Sequence, residues 1–175
     1  SRMLGGNLVR IDVENARGEN LTNGDLVGTK DGSAYGLVFD PQDENVFYFS
    51  NNDKHCIYKY DLRTKECACW AGQEGKSGYL DGPIGQAMFN KPGQMCVDSE
   101  GNIILTDTEN HCIRKITMST GYVSTLAGKP QNSGYVNGSA EDAQFKKPLG
   151  ICIDNDDVMY IGDSENRAIR RLAVE

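Results

Sequence analysis

The chain has 175 residues, enough for one domain with its own core, and its hydrophobic (38%) and charged (25%) fractions are typical of a globular protein. The formal net charge of −7 argues against nucleic acid as a partner, because nucleic-acid affinity comes mostly from basic side chains that neutralise phosphates. The longest apolar runs, such as residues 103–105, are far too short to cross a bilayer, so no membrane insertion is expected.

Short runs of β-branched and apolar residues, separated by Gly, Asp, Asn and Ser, predict strands joined by turns. No stretch of ten or more residues shows a helical stripe, so the chain is predicted to be all-β. In chain order the predicted strands include Leu8–Val13, Glu19–Thr22, Gln94–Asp98, Asn102–Thr106, Cys112–Thr117, Tyr122–Ala127, Leu149–Asp154, Val158–Gly162 and Ala168–Ala173.

The sequence also repeats itself, with a period of 56 residues. Asp107 and Asp163 are 56 positions apart, as are His55 and His111, and the intervening residues align without a gap over the two later copies. Such self-similarity is typical of architectures in which one supersecondary unit is stacked many times.

Four short strands per repeat, with Gly-rich connections, are typical of β-propeller blades of four antiparallel strands. We therefore expect about three blades. Residues 1–31 would supply the end strands of a preceding blade, residues 32–89 and 90–145 would form one blade each, and residues 146–175 an incomplete last blade without its fourth strand.

The string DTENHCIRKI (residues 107–116), followed by GYVSTLAG and by AQFKKPLGI, resembles the NHL repeat, and the resemblance extends from about residue 32 to the last residue. The first copy, residues 51–55, keeps the His but not the leading Asp. The resemblance implies half of a six-bladed NHL propeller, and a similarity to bacterial cell-envelope proteins, in which such repeats are often joined to IPT/TIG modules. No such module is present here, and the extracytoplasmic location is implied by the resemblance alone.

Closed propellers need about four to eight blades, so three blades leave two interpretations open. The chain is a fragment of a longer propeller, which we favour, or two chains pair as a homodimer that closes a six-bladed ring. In either case an open array would expose an apolar blade face at each end.

Candidate binding residues lie on one face of the predicted array. Because strands alternate in direction, the turns between second and third strands share this face with the blade-to-blade connections, and such loop-rich faces commonly bind partners. The candidate binding residues are Tyr79, Asp81, Glu109, His111, Tyr135, Asn137, Glu165 and Arg167.

Each candidate also has a structural interpretation. Tyr79 and Tyr135, in G-Y-x-[DN]-G loops, have the chemistry to grip a sugar or a peptide, or else they cover blade junctions. Asp107 and Asp163 are predicted to form turns by accepting hydrogen bonds from backbone N–H groups two residues on. Glu109 and Glu165 would point outward into solvent.

No metal site or other cofactor is predicted. His55 and His111 occupy equivalent places in neighbouring blades, too far apart to share a metal, and a packing or turn role is expected for both. The recurring cysteines are interpreted as small buried residues. Hairpin symmetry places Cys69 opposite Cys56, which would allow a cross-strand disulfide.

The predicted innermost strands, around residues 37–39, 95–97 and 151–153, are apolar, which argues against catalysis. The chain is therefore predicted to be a non-catalytic recognition module that binds a glycan or a protein through its loop face, and the resemblance implies the same. The alternatives are a part of a metal-dependent propeller hydrolase or lyase, and an RNA-binding NHL domain.

Overall fold

The computed structural model describes residues 9–20 and 34–173. No helix within these residues has the length and hydropathy needed to span a membrane. The described strands are β1 (Val9–Asp12), β2 (Arg17–Asn20), β3 (Ala34–Asp40), β4 (Asp43–Asn51), β5 (Cys56–Asp61), β6 (Cys67–Gly72), β7 (Gly82–Pro83), β8 (Pro92–Val97), β9 (Ile103–Asp107), β10 (Cys112–Thr117), β11 (Tyr122–Ala127), β12 (Pro148–Ile153), β13 (Met159–Asp163) and β14 (Ala168–Leu172).

The strands form antiparallel sheets in sequence order. Strands β3-β4-β5-β6 make the first blade, β8-β9-β10-β11 the second, and β12-β13-β14 the third, while β1 and β2 pair with each other. Two-residue β7 adds to the outer edge of the second blade, beside β11. This arrangement confirms a partial β-propeller. The predicted strand ends at residues 8 and 21–22, and the predicted boundary between residues 31 and 32, lie outside the described residues.

The blades stack face to face because side chains along a strand alternate between its two sides. In β9, Ile103 and Leu105 belong to the core between the first and second blades, whereas Ile104 belongs to the core between the second and third. All five residues of β9 are therefore buried. This explains why the central strands read as continuous apolar runs instead of alternating patterns.

Hydroxyl groups tie each blade to the next near the innermost strands. Ser50 Oγ donates to the Gly93 carbonyl (2.6 Å), and Thr106 Oγ1 donates to the Leu149 carbonyl (2.9 Å). The two bonds are equivalent, since both donors and both acceptors are 56 residues apart. The corresponding residue of the third blade is Gly162, which has no hydroxyl group to donate.

The inner strands β3 and β8 approach so closely that a side chain at Gly36 has no room. A Cβ atom there would lie 2.8 Å from the Met95 nitrogen and 2.9 Å from the Gly93 oxygen, both of them backbone atoms. We expect Gly36→Ala to lower the free energy of unfolding by about 1–3 kcal/mol, as overpacking does. Gly150→Ala is the control, because its nearest neighbour is the side-chain oxygen of Gln94 at 3.5 Å. Urea titration of both variants measures the difference, and equal losses would contradict the steric argument.

The two ends of the blade array differ in exposure. On the outer face of the third blade, Tyr160 is 38% exposed and Ile169 is 75% exposed, although their counterparts in the second blade, Ile104 and Ile113, are fully buried. The expected open apolar face is thus present at this end. At the first blade, Phe47 on the outward side is fully buried, whereas Phe39, in ring contact with it, is 44% exposed, so this end exposes only part of its apolar face.

The predicted pairing of Cys69 with Cys56 is wrong. In the register of β5 and β6, Cys56 lies opposite Gly72 and Cys69 lies opposite Tyr58, with a β-bulge between Ile57 and Tyr58. Both cysteines are free thiols. The thiols still contact each other, and this contact together with burial raises the pKa of Cys56 far above the ordinary value.

Candidate functional site

A buried ion pair lies at the end of β9 in the second blade. Asp107 on β9 and Arg114 on β10, which is two residues beyond the cross-strand partner of Asp107, are both fully buried, with Arg114 Nη1 2.6 Å from Asp107 Oδ2. The same carboxylate oxygen accepts from Asn110 Nδ2 (2.8 Å). Burial raises the pKa of Asp107 to about 6, so the carboxylate is ionised at neutral pH and pairs with the guanidinium.

The other contacts of Arg114 come from the connection between the first and second blades. Its guanidinium lies 4.8 Å from the ring centroid of Tyr79 and 5.1 Å from that of Phe89, as cation–π contacts require. Nη2 donates to Asp81 Oδ1 (2.6 Å) and to the Leu80 carbonyl (2.9 Å). Arg114 therefore holds this connection against the second blade.

The third blade repeats the whole arrangement. Arg170 Nη1 donates to Asp163 Oδ2 (2.9 Å), and the Arg170 guanidinium lies 4.9 Å from the Tyr135 ring. Arg170 Nη2 donates to Asn137 Oδ1 (2.7 Å), in the place where Arg114 has Asp81. The network is therefore a recurring structural device of the repeat. The first blade lacks it, with Tyr58 at the position of the arginine.

These contacts favour a structural role for four of the predicted binding residues. Tyr79, Asp81, Tyr135 and Asn137 are all engaged by a buried arginine at a blade junction, which is the structural interpretation of the G-Y-x-[DN]-G loops. Tyr79 makes a further contact within the junction, because its hydroxyl forms a hydrogen bond with Thr125 Oγ1 at 2.7 Å. Tyr135 remains 60% exposed.

The predicted turn-forming role of Asp107 and Asp163 is wrong. Neither side chain caps the turn that follows it by accepting from a backbone N–H, and only the Asn110 and Asn166 side chains of those turns donate to the two aspartates. Instead, Asp107 Oδ1 accepts from the Asn90 N–H (2.8 Å) and Asp163 Oδ1 from the Lys146 N–H (2.7 Å), both in the preceding connection. The aspartates join the blades, and the arginines that pair with them were missed. The available signal was an arginine inside an apolar strand, repeated at the 56-residue period.

A second cluster lies on the turn face, at the turns between second and third strands. Lys147 Nζ lies 3.3 Å from Glu109 Oε1 and 3.1 Å from Glu165 Oε1, so one lysine bridges the turns of two blades. Lys146 Nζ lies 3.5 Å from the other oxygen of Glu165. We call Glu109, Lys146, Lys147 and Glu165 the turn-face cluster. Glu109 and Glu165 point outward as predicted, but they are paired and not simply solvated.

The turn residues His55, His111 and Arg167 share a left-handed backbone conformation, with φ of +57°, +59° and +53°. His55 Nδ1 accepts from the Lys91 N–H and His111 Nδ1 from the Lys147 N–H, each at 3.1 Å. The histidines therefore link each blade to the next, as the packing interpretation predicts. Arg167, in the equivalent place on the third blade, is exposed.

The lowered pKa of His55 makes folding sensitive to pH. Burial, followed by the charge of Lys91, lowers the pKa of His55 from its ordinary value of 6.5. The unfolded chain then binds more protons than the folded one, so stability is present above pH 6.5 and is lost as the pH falls through the lowered pKa. We expect His55→Asn, which tolerates a positive φ and keeps an oxygen acceptor, to lose less stability on acidification. Urea titrations at about pH 7.5 and about pH 5 test this, and an unchanged pH dependence would contradict it.

Within the described residues, no group of three or more His, Cys, Asp or Glu side chains converges in a way that could hold a metal ion.

Comparison with known proteins agrees with this architecture. The family model for the NHL repeat matches residues 89–116. NHL repeat-containing protein 2 of Gallus gallus is 30% identical over 152 residues, covering 86% of this chain and 19% of that protein. The chain thus spans about a fifth of that curated relative.

Solved structures are similar over nearly the whole chain. A Bacteroides thetaiotaomicron protein of unknown function has a TM-score of 0.87 at 29% identity, over 98% of this chain and 43% of that one. An auxiliary nutrient binding protein from the same organism has a TM-score of 0.78 at 28% identity, over 98% of this chain and 44% of that one. From its blades, its repeat and these similarities, the chain belongs to the NHL-repeat β-propeller proteins.

Proposed function

We propose that the chain is part of a non-catalytic recognition module, in which the turn face binds a glycan or a protein partner through ion pairs and hydrogen bonds. The observation that carries this proposal is the turn-face cluster. It offers charged groups of both signs from two adjacent blades, and these groups are partly exposed.

The turns that present the cluster are held rigidly, which favours binding. Glu109 follows Asp107 in its turn, and the Glu109 N–H itself donates to the Asn90 carbonyl (3.0 Å). Glu165 is held in the same way by the Lys146 carbonyl (3.1 Å). Little conformational entropy is therefore lost when a partner takes over one of the ion pairs of Lys147.

The charged and titratable groups already have partners within the protein, which favours recognition over acid–base chemistry. The buried aspartates pair with buried arginines, and His111 Nδ1 is occupied by a backbone N–H. The similarity to an auxiliary nutrient binding protein, over almost the whole chain, supports the same proposal.

The test is a charge-matched pair of double variants screened on glycan and peptide arrays. Glu109→Gln/Glu165→Gln removes both carboxylate partners of Lys147, while Glu44→Gln/Glu100→Gln removes two exposed carboxylates from the opposite turns. We expect the first pair to weaken binding of any hit about tenfold, equivalent to about 1.4 kcal/mol, and the second pair to leave it unchanged. Hits that respond equally to both pairs would place the binding surface elsewhere.

A further inference from the structure

A cavity of about 190 Å³ lies between the second and third blades, at the turns opposite the turn face. Its floor is apolar and its rim is charged. The floor includes Ile104, Leu126 and Met159, and the rim includes Asp98, Lys115 and Asp157. Because an apolar cavity of roughly 150 Å³ is large enough to bind benzene, this cavity can hold a small aromatic ring.

The junction between the first and second blades shows why the cavity exists. There Tyr48 and Trp70 stand 56 positions before Ile104 and Leu126, and their ring centroids lie 4.3 Å apart. Tyr48 is buried, and both rings pack in the core between those two blades. Two aromatic rings therefore fill at the first junction the volume that two aliphatic side chains leave open at the second.

The acceptor for an aromatic hydroxyl group is retained beside the cavity. Tyr48 donates its hydroxyl to Asp40 Oδ2 (2.8 Å), and Tyr160 in the third blade donates in the same way to Asp154 Oδ2 (3.2 Å). Asp98 is the equivalent carboxylate of the second blade, since all three aspartates accept from the backbone N–H two residues further on. In the second blade an isoleucine stands where the other two blades have the tyrosine.

The rim ties the two blades together and sets the charge of the site. Ser99 donates its N–H to Asp157 Oδ1 (2.9 Å) and its hydroxyl to the other oxygen of that carboxylate, so the opposite turns are joined across the cavity. Lys115 Nζ lies 2.9 Å from Asp98 Oδ2 and 3.5 Å from Glu100 Oε2. Three carboxylates around one ammonium group disfavour an anionic ligand and favour a neutral hydroxyl donor.

We propose that this cavity binds a small neutral phenol, whose ring takes the place of the missing aromatic side chains and whose hydroxyl donates to Asp98. The support is that the same molecule places a phenolic ring against the equivalent carboxylate in both neighbouring blades. The site lies away from the turn-face cluster, so the proposal does not depend on the proposed function.

The experiment titrates the chain with p-cresol, which is the tyrosine side chain without its backbone, and follows the methyl groups of Ile104, Leu126 and Met159 by NMR. Saturable shifts of these methyl groups at millimolar p-cresol are the expected result. Toluene, the matched control without the hydroxyl, should bind about tenfold more weakly, since it cannot donate to a carboxylate. The anion p-hydroxybenzoate should also bind more weakly, because the rim carboxylates repel it.

A variant that fills the cavity separates this site from other surfaces. Leu126→Trp restores the side chain of the first junction and should weaken p-cresol binding by at least about tenfold. Ser133→Trp, which adds the same ring at an exposed position, is the control and should leave binding unchanged. Ile104→Tyr supplies the missing phenol from the protein itself, and it should cause the same loss if Leu126→Trp does not fold.

N-acetyltyrosinamide distinguishes a free phenol from the tyrosine of a polypeptide. It carries the same ring, but its amide groups do not fit beside an apolar floor, so it should bind more weakly than p-cresol. Equal affinity would overturn the assignment to free phenols. The site itself would be overturned by the lack of saturable shifts in the folded chain, by toluene binding as tightly as p-cresol, or by unchanged binding in a folded Leu126→Trp or Ile104→Tyr variant.

Discussion

Replacing Arg114 by alanine should lower the free energy of unfolding by about 3–5 kcal/mol, because it leaves Asp107 buried and charged without its partner. Arg114 also donates to the Leu80 and Met88 carbonyls, which have no other side-chain donor in this network. The measurement is urea unfolding followed by the fluorescence of Trp70, the single tryptophan, which packs 4.3 Å from the Tyr48 ring in the core between the first two blades.

Two further variants separate the charge from the packing. Arg114→Met/Asp107→Asn removes both charges and keeps much of the volume, so it should recover most of the lost stability. Arg170→Ala, in the third blade, should cost less than Arg114→Ala, since its second partner is the neutral Asn137 in place of Asp81. A loss below about 1 kcal/mol for Arg114→Ala would mean that the ion pair is not a main support of the junction.

The strands and their grouping follow from local signals in the sequence. Strands β10 and β11 begin and end at the predicted residues, since a β-branched run is bounded on each side by turn-forming residues. The 56-residue period then fixes the grouping of strands into blades without any knowledge of packing. The strand signals lie within a few residues along the chain and the period is visible by aligning the sequence with itself, so neither requires knowledge of packing.

The acceptors of Arg114 and the register of β5 and β6 depend on contacts that no local pattern reveals. The Leu80 and Asp81 oxygens lie more than 30 positions away in sequence. The register that places Cys69 opposite Tyr58 includes a bulge that adds one residue to a strand of ordinary composition. The turn interpretation of Asp107 failed for the same reason, since its Oδ1 is satisfied by the preceding connection and not by its own turn.

Part of the turn-face cluster could be predicted from the sequence. Glu109, His111 and Glu165 were placed on one face from strand direction alone, and the structure brings all three into contact with Lys147. Lys147 itself was not a candidate, because a lysine before a proline at the start of a strand has no distinctive pattern. Its left-handed backbone, with φ of +50°, directs it toward the turns of both blades.

Replacing Phe89 by alanine should cost about 3–5 kcal/mol, the range for deleting a fully buried aromatic ring. Phe89 is fully buried in the core between the first two blades, whereas Phe39, 44% exposed, is the matched control for the same chemical change. Phe39→Ala should cost about 1 kcal/mol, as partial exposure leaves less contact to lose. Equal losses for the two would contradict the assignment of Phe89 to the junction core.

Phe89 and Arg114 should also be coupled, since the ring covers one side of the guanidinium at 5.1 Å. After Phe89→Ala, water can reach Arg114 and Asp107, so the penalty for leaving that aspartate unpaired becomes smaller. The double variant Phe89→Ala/Arg114→Ala should therefore lose less stability than the two single losses added together, by at least about 0.5 kcal/mol. Strict additivity in the urea titrations would show that the ring and the ion pair support the junction independently.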